Sequence, residues 1–281
     1  MIRIITDSAA DFEPEELESL NITCIPLVVR FGETDYQENV NLSKPQFYDL
    51  LLSSEELPKT SQASPQVLTD LLLDAQAAGD EAIYITLSSA LSGTYQTACM
   101  IRDGVDYDGA YILDSRNATG GQRLLVEYAV KLRSQGRSAS EILEKVGALR
   151  DSIVLYACID TLEYLYKGGR ISHTVYTLGS LAQIKPIIKV DEEGGIAGPA
   201  KAMGMRKGMD TLCKRLQTQA PSADFPLYVM YTNHRSVAET LAEKIRHLGF
   251  DVPDEHIIGV GAAIGSHIGP DACGIVYIED K

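Results

Sequence analysis

The residues best suited to chemistry fall in four short polar clusters. The first is Ser88-Ser89-Ala90-Leu91-Ser92-Gly93-Thr94, which follows an apolar run and precedes residues spaced for a helix. A strand turning through hydroxyls and glycine into a helix aims free backbone N–H groups, and the positive end of a dipole, at one point. Anions bind at such points. Ser92 stands where an N-cap belongs, but one hydroxyl is enough for a cap and this stretch holds five small hydroxyl or glycine residues. The second cluster, Thr60-Ser61-Gln62, is expected in a loop ahead of a helix that Ser64 caps and Pro65 starts. In the third, Lys167-Gly168-Gly169-Arg170, the glycines either end a helix or bring backbone close to a ligand, delivering a guanidinium to a carboxylate or phosphate. The fourth, Gly265-Ser266-His267-Ile268-Gly269-Pro270, is expected in a loop between two strands. His267 is the one of five histidines set among small residues.

Two chemistries fit these types. One is anion binding by hydroxyls, N–H groups and a single cation. The other is nucleophilic: Ser92 attacking, His267 as base and Asp114 or Asp7 as orienter, giving a serine hydrolase or acyltransferase. The second lacks its usual signature, since GxSxG, GxxxxGK[ST] and HExxH are all missing. Gly259-x-Gly261-x-x-x-Gly265 has one residue too many for a dinucleotide loop and is read as leading to Pro270, not into a helix. Five cysteines are scattered, with no CxxC or Cys/His ligand spacing, and read as core thiols of a reducing cytoplasm. No metal and no cofactor is expected.

The elements that must position these clusters alternate through the first half. Strands are expected at 2–6, 82–87 and 110–113, with helices at 14–20, 45–52, 65–78, 93–102, 120–134 and 139–150 and extended chain over 22–38. Alternation implies a largely parallel sheet flanked by helices, with ligands beyond the strands' C-terminal ends. Those ends are Thr6-Asp7-Ser8, Ser88-Ser89 and Asp114-Ser115. The second half differs: a strand at 153–159, an apolar stretch through Ile184, a hairpin about Gly194-Gly195, then helices and strands by turns. That pattern predicts a smaller mixed sheet. The chain thus reads as an α/β protein of two domains, 1–151 and 152–281.

Composition narrows the function classes. Of 281 residues, 45% are hydrophobic and 23% charged, enough apolar material for sizeable cores. A net charge of −14 opposes direct contact with a phosphate backbone, so no nucleic-acid partner is expected. No apolar run approaches the ~18 residues of a spanning helix and the N-terminus begins directly as a strand, so a cytoplasmic protein without integral membrane association is expected.

The motifs together resemble one family. Thr6-Asp7-Ser8-Ala9-Ala10-Asp11, Lys59-Thr60-Ser61-Gln62-Ala63-Ser64-Pro65, Ser88 through Ala98, Asp114-Ser115, Lys167 through Ile171, Lys185-Pro186 and His267-Ile268-Gly269-Pro270 resemble the DegV family in order and over nearly the whole chain. The family includes fatty-acid-binding subunits of bacterial fatty acid kinase. The resemblance implies a non-enzymatic carrier that holds one long-chain fatty acid with its carboxylate at the domain junction. A separate kinase subunit then converts the carboxylate to an acyl phosphate for phospholipid metabolism. It further implies that Thr60 and Ser92, with Ser61 and Gly93 beside them, bind the carboxylate, that Arg170 and His267 lie near it, and that Arg206 with Lys207 meets the kinase. Leu162, Leu165, Ile171, Val175, Leu178, Leu181 and Ile184 are then candidates for the tunnel wall, each equally readable as ordinary core. Two departures stand out: Ala63 replaces the family's usual proline and Asp271 its usual glycine, the latter adding negative charge near a site meant for an anion. A regulatory, non-catalytic partner protein is the remaining alternative.

Overall fold

The computed structural model describes residues 1–179 and 184–280. Its elements follow the chain as β1 (Ile2–Asp7), α1 (Pro14–Ser19), β2 (Ile22–Ile25), β3 (Val28–Phe31), β4 (Thr34–Gln37), α2 (Lys44–Ser53), β5 (Lys59–Ser61), α3 (Pro65–Ala78), β6 (Glu81–Thr86), α4 (Thr94–Val105), β7 (Ala110–Asp114), α5 (Thr119–Ser134) and α6 (Ala139–Arg150). The remainder comprises β8 (Ile153–Cys158), α7 (Glu163–Lys167), α8 (His173–Gly179), β9 (Ile184–Val190), β10 (Ile196–Met203), α9 (Met205–Thr218), β11 (Tyr228–Tyr231), α10 (Arg235–His247), β12 (Ile257–Gly259), α11 (Ala262–Ile268) and β13 (Cys273–Ile278).

The described residues form three sheets. The first, in order β2-β1-β6-β7, is parallel throughout. Its strands are apolar because both faces are covered. On one side Leu125, Val126 and Ala129 of α5 and Ile142 and Val146 of α6 pack on Ile4, Ile83 and Ile85. On the other, Leu68 and Leu72 of α3 and Ala98 of α4 pack on Ile5 and Tyr84. The second sheet, β10-β9-β8-β13-β11-β12, is mixed as expected, but with six strands it is larger than the first. The short runs in this half include a hairpin, β9–β10, turning at Gly194 with φ +83. A third sheet, β4-β3-β5, was not legible as such: extended chain after β2 folds back and recruits Lys59–Ser61 as its edge.

The six-stranded sheet presents two different faces. One is sealed by α9 and α10 through Leu212, Leu216, Leu241 and Ile245. The other meets α5, where Leu124 joins Leu155, Met230 and Val276. Gly120 makes this approach possible, since a Cβ there would fall 3.3 Å or less from Val276, Met230 and Ile258. Helix α5 therefore serves both large sheets. Beyond its reach α7 and α11 stand over the same face, through Leu165, Ile264 and Ile268, and a cavity lies between them and the sheet.

Candidate functional site

Thr60 owes its position to β5. It pairs with Val29 of β3, which is fully buried, so its side chain is fixed by sheet register and not left to a loop. Its Oγ1 lies 2.8 Å from His267 Nε2. His267 in turn sits in α11, where a loop was expected, and Gly261 leads directly into that helix. Glycine and alanine at 261–265 hid the helix because these types give no strong apolar periodicity.

The third cluster packs against the same ring. Gly168 is required because a Cβ there would collide with His267 Nδ1, whereas Gly169 takes φ +74 as α7 ends. The chain then delivers Arg170, whose Nε donates to Leu91 O at 3.1 Å and Nη1 to Gly168 O at 2.6 Å. Arg170 thus grips the hydroxyl loop that carries Ser92. That loop is also held by Ser88, which is buried and donates to Gly194 O at 2.9 Å. Gly93, not Ser92, is the N-cap of α4. Ser92 Oγ instead meets Thr94 Oγ1 at 2.8 Å. Gln62 lies over Gly93, where a Cβ would meet its Nε2 at 2.6 Å. Ser64 caps α3 by position alone, without a side-chain hydrogen bond.

These contacts bring all six expected site residues, Thr60, Ser61, Ser92, Gly93, Arg170 and His267, to one cavity of about 290 Å³. The rest of the lining is mostly apolar. Leu155 and Ala157 come from β8, Ile188 and Val190 from β9, Ile196 from β10, Met230 from β11 and Gly274 from β13, with Ala263, Ile264 and Ile268 from α11. Met230, Gly274, Ala157 and Ile188 are register partners across four strands. The two small residues in the middle leave a trough between the two large ones.

This lining differs from the wall expected from sequence. Among the described residues Leu165 lines the cavity, whereas Leu162, Ile171, Val175 and Ile184 do not. Leu162 and Ile171 are buried in the same core as the lining residues Leu165, Ile188 and Ala272, with Val175 packed against it. Leu178 falls in α8, Ile184 opens β9, and Leu181 lies outside the described residues. The sheet face was missed because β-strand residues buried on both sides read as plain core. Thr119 and Met230 join the lining without any sequence signal, since single polar or sulfur side chains carry no spacing, whereas Gln62 belongs to the second polar cluster.

Ser92, His267 and the two aspartates do not form the chain of contacts that a serine relay needs. Burial, reinforced by the Arg170 charge, lowers the His267 pKa to about 4, so the ring is neutral at pH 7. Burial also lowers that of Arg170. His267 bonds Thr60 and not Ser92, and its Nδ1 is buried with no partner among the described residues. Asp114 accepts from Ser89 and Arg116 N–H groups, and Asp7 from the Ala9 and Leu87 N–H groups, the Tyr84 hydroxyl and the Gln122 amide. Neither orients the imidazole. The relay proposed from residue types is not assembled.

A parallel α/β layer joined to a mixed six-stranded sheet, with polar groups gathered at an apolar cavity, describes an α/β protein with a pocket for an amphipathic molecule. The chain belongs to the DegV family, described as uncharacterised, whose model matches residues 1–280. A DegV domain-containing protein of Clostridium perfringens is 33% identical over 99% of this chain and 97% of its own. Among solved structures, DegV of Bacillus subtilis, a fatty acid binding protein, is 28% identical with a TM-score of 0.85, covering 99% of both chains. A stearic-acid-binding protein of Eubacterium ventriosum is 25% identical with a TM-score of 0.90, covering 99% of this chain and 98% of that one. No helix among the described residues is long and apolar enough to cross a membrane.

Proposed function

We propose that this protein is a cytoplasmic carrier that binds one long-chain fatty acid in the cavity between residues 1–151 and 152–281, taken as two domains. The observation that carries this reading is the lining: an apolar sheet face together with Thr60, Ser61, Ser92, Gly93, Arg170 and His267. The fatty-acid-binding relatives support it. The carboxylate accepts from Thr60 and Ser92 and from N–H groups at the start of α4, with the Arg170 charge nearby. The tail lies along the sheet face, where each buried methylene contributes ~0.8 kcal/mol, on the order of 10 kcal/mol for a long chain. Tail burial sets affinity; the polar end sets direction.

The carrier presents the head group to a separate kinase subunit, which makes the acyl phosphate. Arg206 and Lys207 are exposed at the start of α9 and form the docking candidates, near exposed Lys201 in an otherwise acidic chain. Mass spectrometry of organic extracts from the purified protein tests the ligand. A fatty acid recovered one-to-one is expected; a protein that neither co-purifies with nor takes up stearate or oleate would end this reading.

A further inference from the structure

Helix α11 belongs to the second half of the chain, yet N–H groups at its start donate to side chains of the first. Gly261 N–H donates to Asp11 Oδ1 at 2.8 Å and Ala263 N–H to Glu38 Oε1 at 3.2 Å. The other Glu38 oxygen accepts from Ser8 Oγ at 2.6 Å, and Ser8 Oγ accepts from Leu27 N–H at 3.0 Å. Tyr48 Oη donates to Val260 O at 2.9 Å. Two glycines permit this closeness: a Cβ on Gly261 would collide with Glu38 Oε1, and one on Gly265 would sit 2.7 Å from both Phe47 and Tyr48. Ala263 and His267 are one helical turn apart, on one face, and both line the cavity.

The geometry points to Asp11 and Glu38 as positioning residues of the cavity, buried carboxylates that hold the start of α11 and so set where His267 meets Thr60. Placing two carboxyl groups in a dry interface is unfavourable: burial, with the Glu13 charge nearby, raises the pKa of Asp11 to about 6, and burial, with the Asp11 charge nearby, raises that of Glu38 to about 7. Lys44 offsets this only partly, since its Nζ bonds Asp11 O and Glu13 Oε1, not the Asp11 carboxylate. A core chosen for stability alone has no use for the pair. A helix that must present one imidazole at hydrogen-bond distance from a strand of the other half does, because the first N–H groups of a helix have no partner within it and these side-chain oxygens accept from them.

The test reads His267 directly by ¹⁵N resonances of histidine-labelled ligand-free protein, assigned against His267→Ala, and separately measures stearate affinity; only the second readout rests on the functional reading above. Glu38→Ala and Asp11→Ala should move the His267 resonances and weaken stearate binding about tenfold. Glu38→Gln, which keeps an acceptor for Ala263 N–H, should restore both. Should the alanine variants fail to fold, Gly261→Ala serves instead: φ there is −82, so the backbone accepts alanine while the Cβ drives Glu38 off. Folded variants with wild-type His267 resonances would overturn the inference. Wild-type protein that binds no stearate would overturn the functional reading, and the His267 resonances would then decide the inference alone.

Discussion

Thr60 Oγ1 and His267 Nε2 lie 2.8 Å apart although 207 residues separate them. The partner of the other ring nitrogen decides which group donates. His267 Nδ1 is buried without a partner among the described residues, and an orphaned N–H is disfavoured more than an orphaned lone pair. The proton is therefore assigned to Nε2, which donates to Thr60 Oγ1. That leaves the Thr60 hydroxyl hydrogen free to donate into the cavity.

Thr60→Ala and Ser92→Ala should each weaken fatty-acid affinity by about tenfold, as expected for a lost hydrogen bond to a charged group at ~1.5–3 kcal/mol. Neither should abolish it, because the tail supplies most of the binding. Isothermal titration with stearate checks both, and an unchanged affinity in the double variant would place the head group elsewhere.

Acidification should at first stabilise the ligand-free protein. The folded pKa values of Asp7 and Asp11 are raised from 3.8 to about 6, and that of Glu38 from 4.5 to about 7, chiefly by burial. Between about pH 7 and pH 4 the folded state thus binds more protons than the unfolded state, and stability grows as pH falls. His267 acts oppositely, with a folded value near 4 against 6.5, removing stability over the same window. Burial lowers the His256 pKa in the same sense as His267 and raises that of Glu127 in the sense of the acids, and the raised acids outweigh the two histidines. Tm measured from pH 7.5 to 5.5 should rise on acidification, with a smaller rise in Glu38→Gln; a Tm that declines steadily across the window would contradict the assignment.

Ligand binding should shift the His267 titration upward. A carboxylate near the ring favours imidazolium and opposes the effect of Arg170. NMR titration with and without stearate reads this directly, and a His267 pKa that stays near 4 in the complex would remove the imidazole from the head group's neighbourhood.

Gly274→Val should shorten the acyl chain the protein retains. The trough formed by Gly274 and Ala157 has no room for more, since even a Cβ on Gly274 would stand 3.0 Å from Met230 Cε and 2.9 Å from Tyr156 O. The added side chain should lower stability by about 1–3 kcal/mol through overpacking. Profiles of co-purified fatty acids should move to shorter chains, and an unchanged profile in a folded variant would show that the tail avoids this row.

Arg206→Glu should lower acyl phosphate formation by a cognate kinase while stearate affinity stays at the wild-type value. Both side chains of the pair Arg206 and Lys207 are exposed and remote from the cavity lining, so a loss of affinity would point to misfolding and unchanged turnover to an ordinary solvated face.

The local patterns of this chain were enough to define its alternating first half, the β9–β10 hairpin and the four polar clusters, because strand runs, capping residues and glycines act over a few neighbours. Those clusters do meet at one cavity. What they do to one another was decided only by tertiary structure. That Arg170 grips Leu91 O, that Gly168 makes room for the His267 ring, and that Thr60 rides on a strand depend on contacts between segments roughly 30 to 100 residues apart. Helix α11 was invisible because its own small residues carry no periodic signal, while the side chains that accept from its first N–H groups, Asp11 and Glu38, stand more than 200 residues away in the chain. The cavity wall was likewise beyond reach: a strand's sequence says that it is buried, whereas only sheet packing determines which face meets a helix and which is left for a ligand.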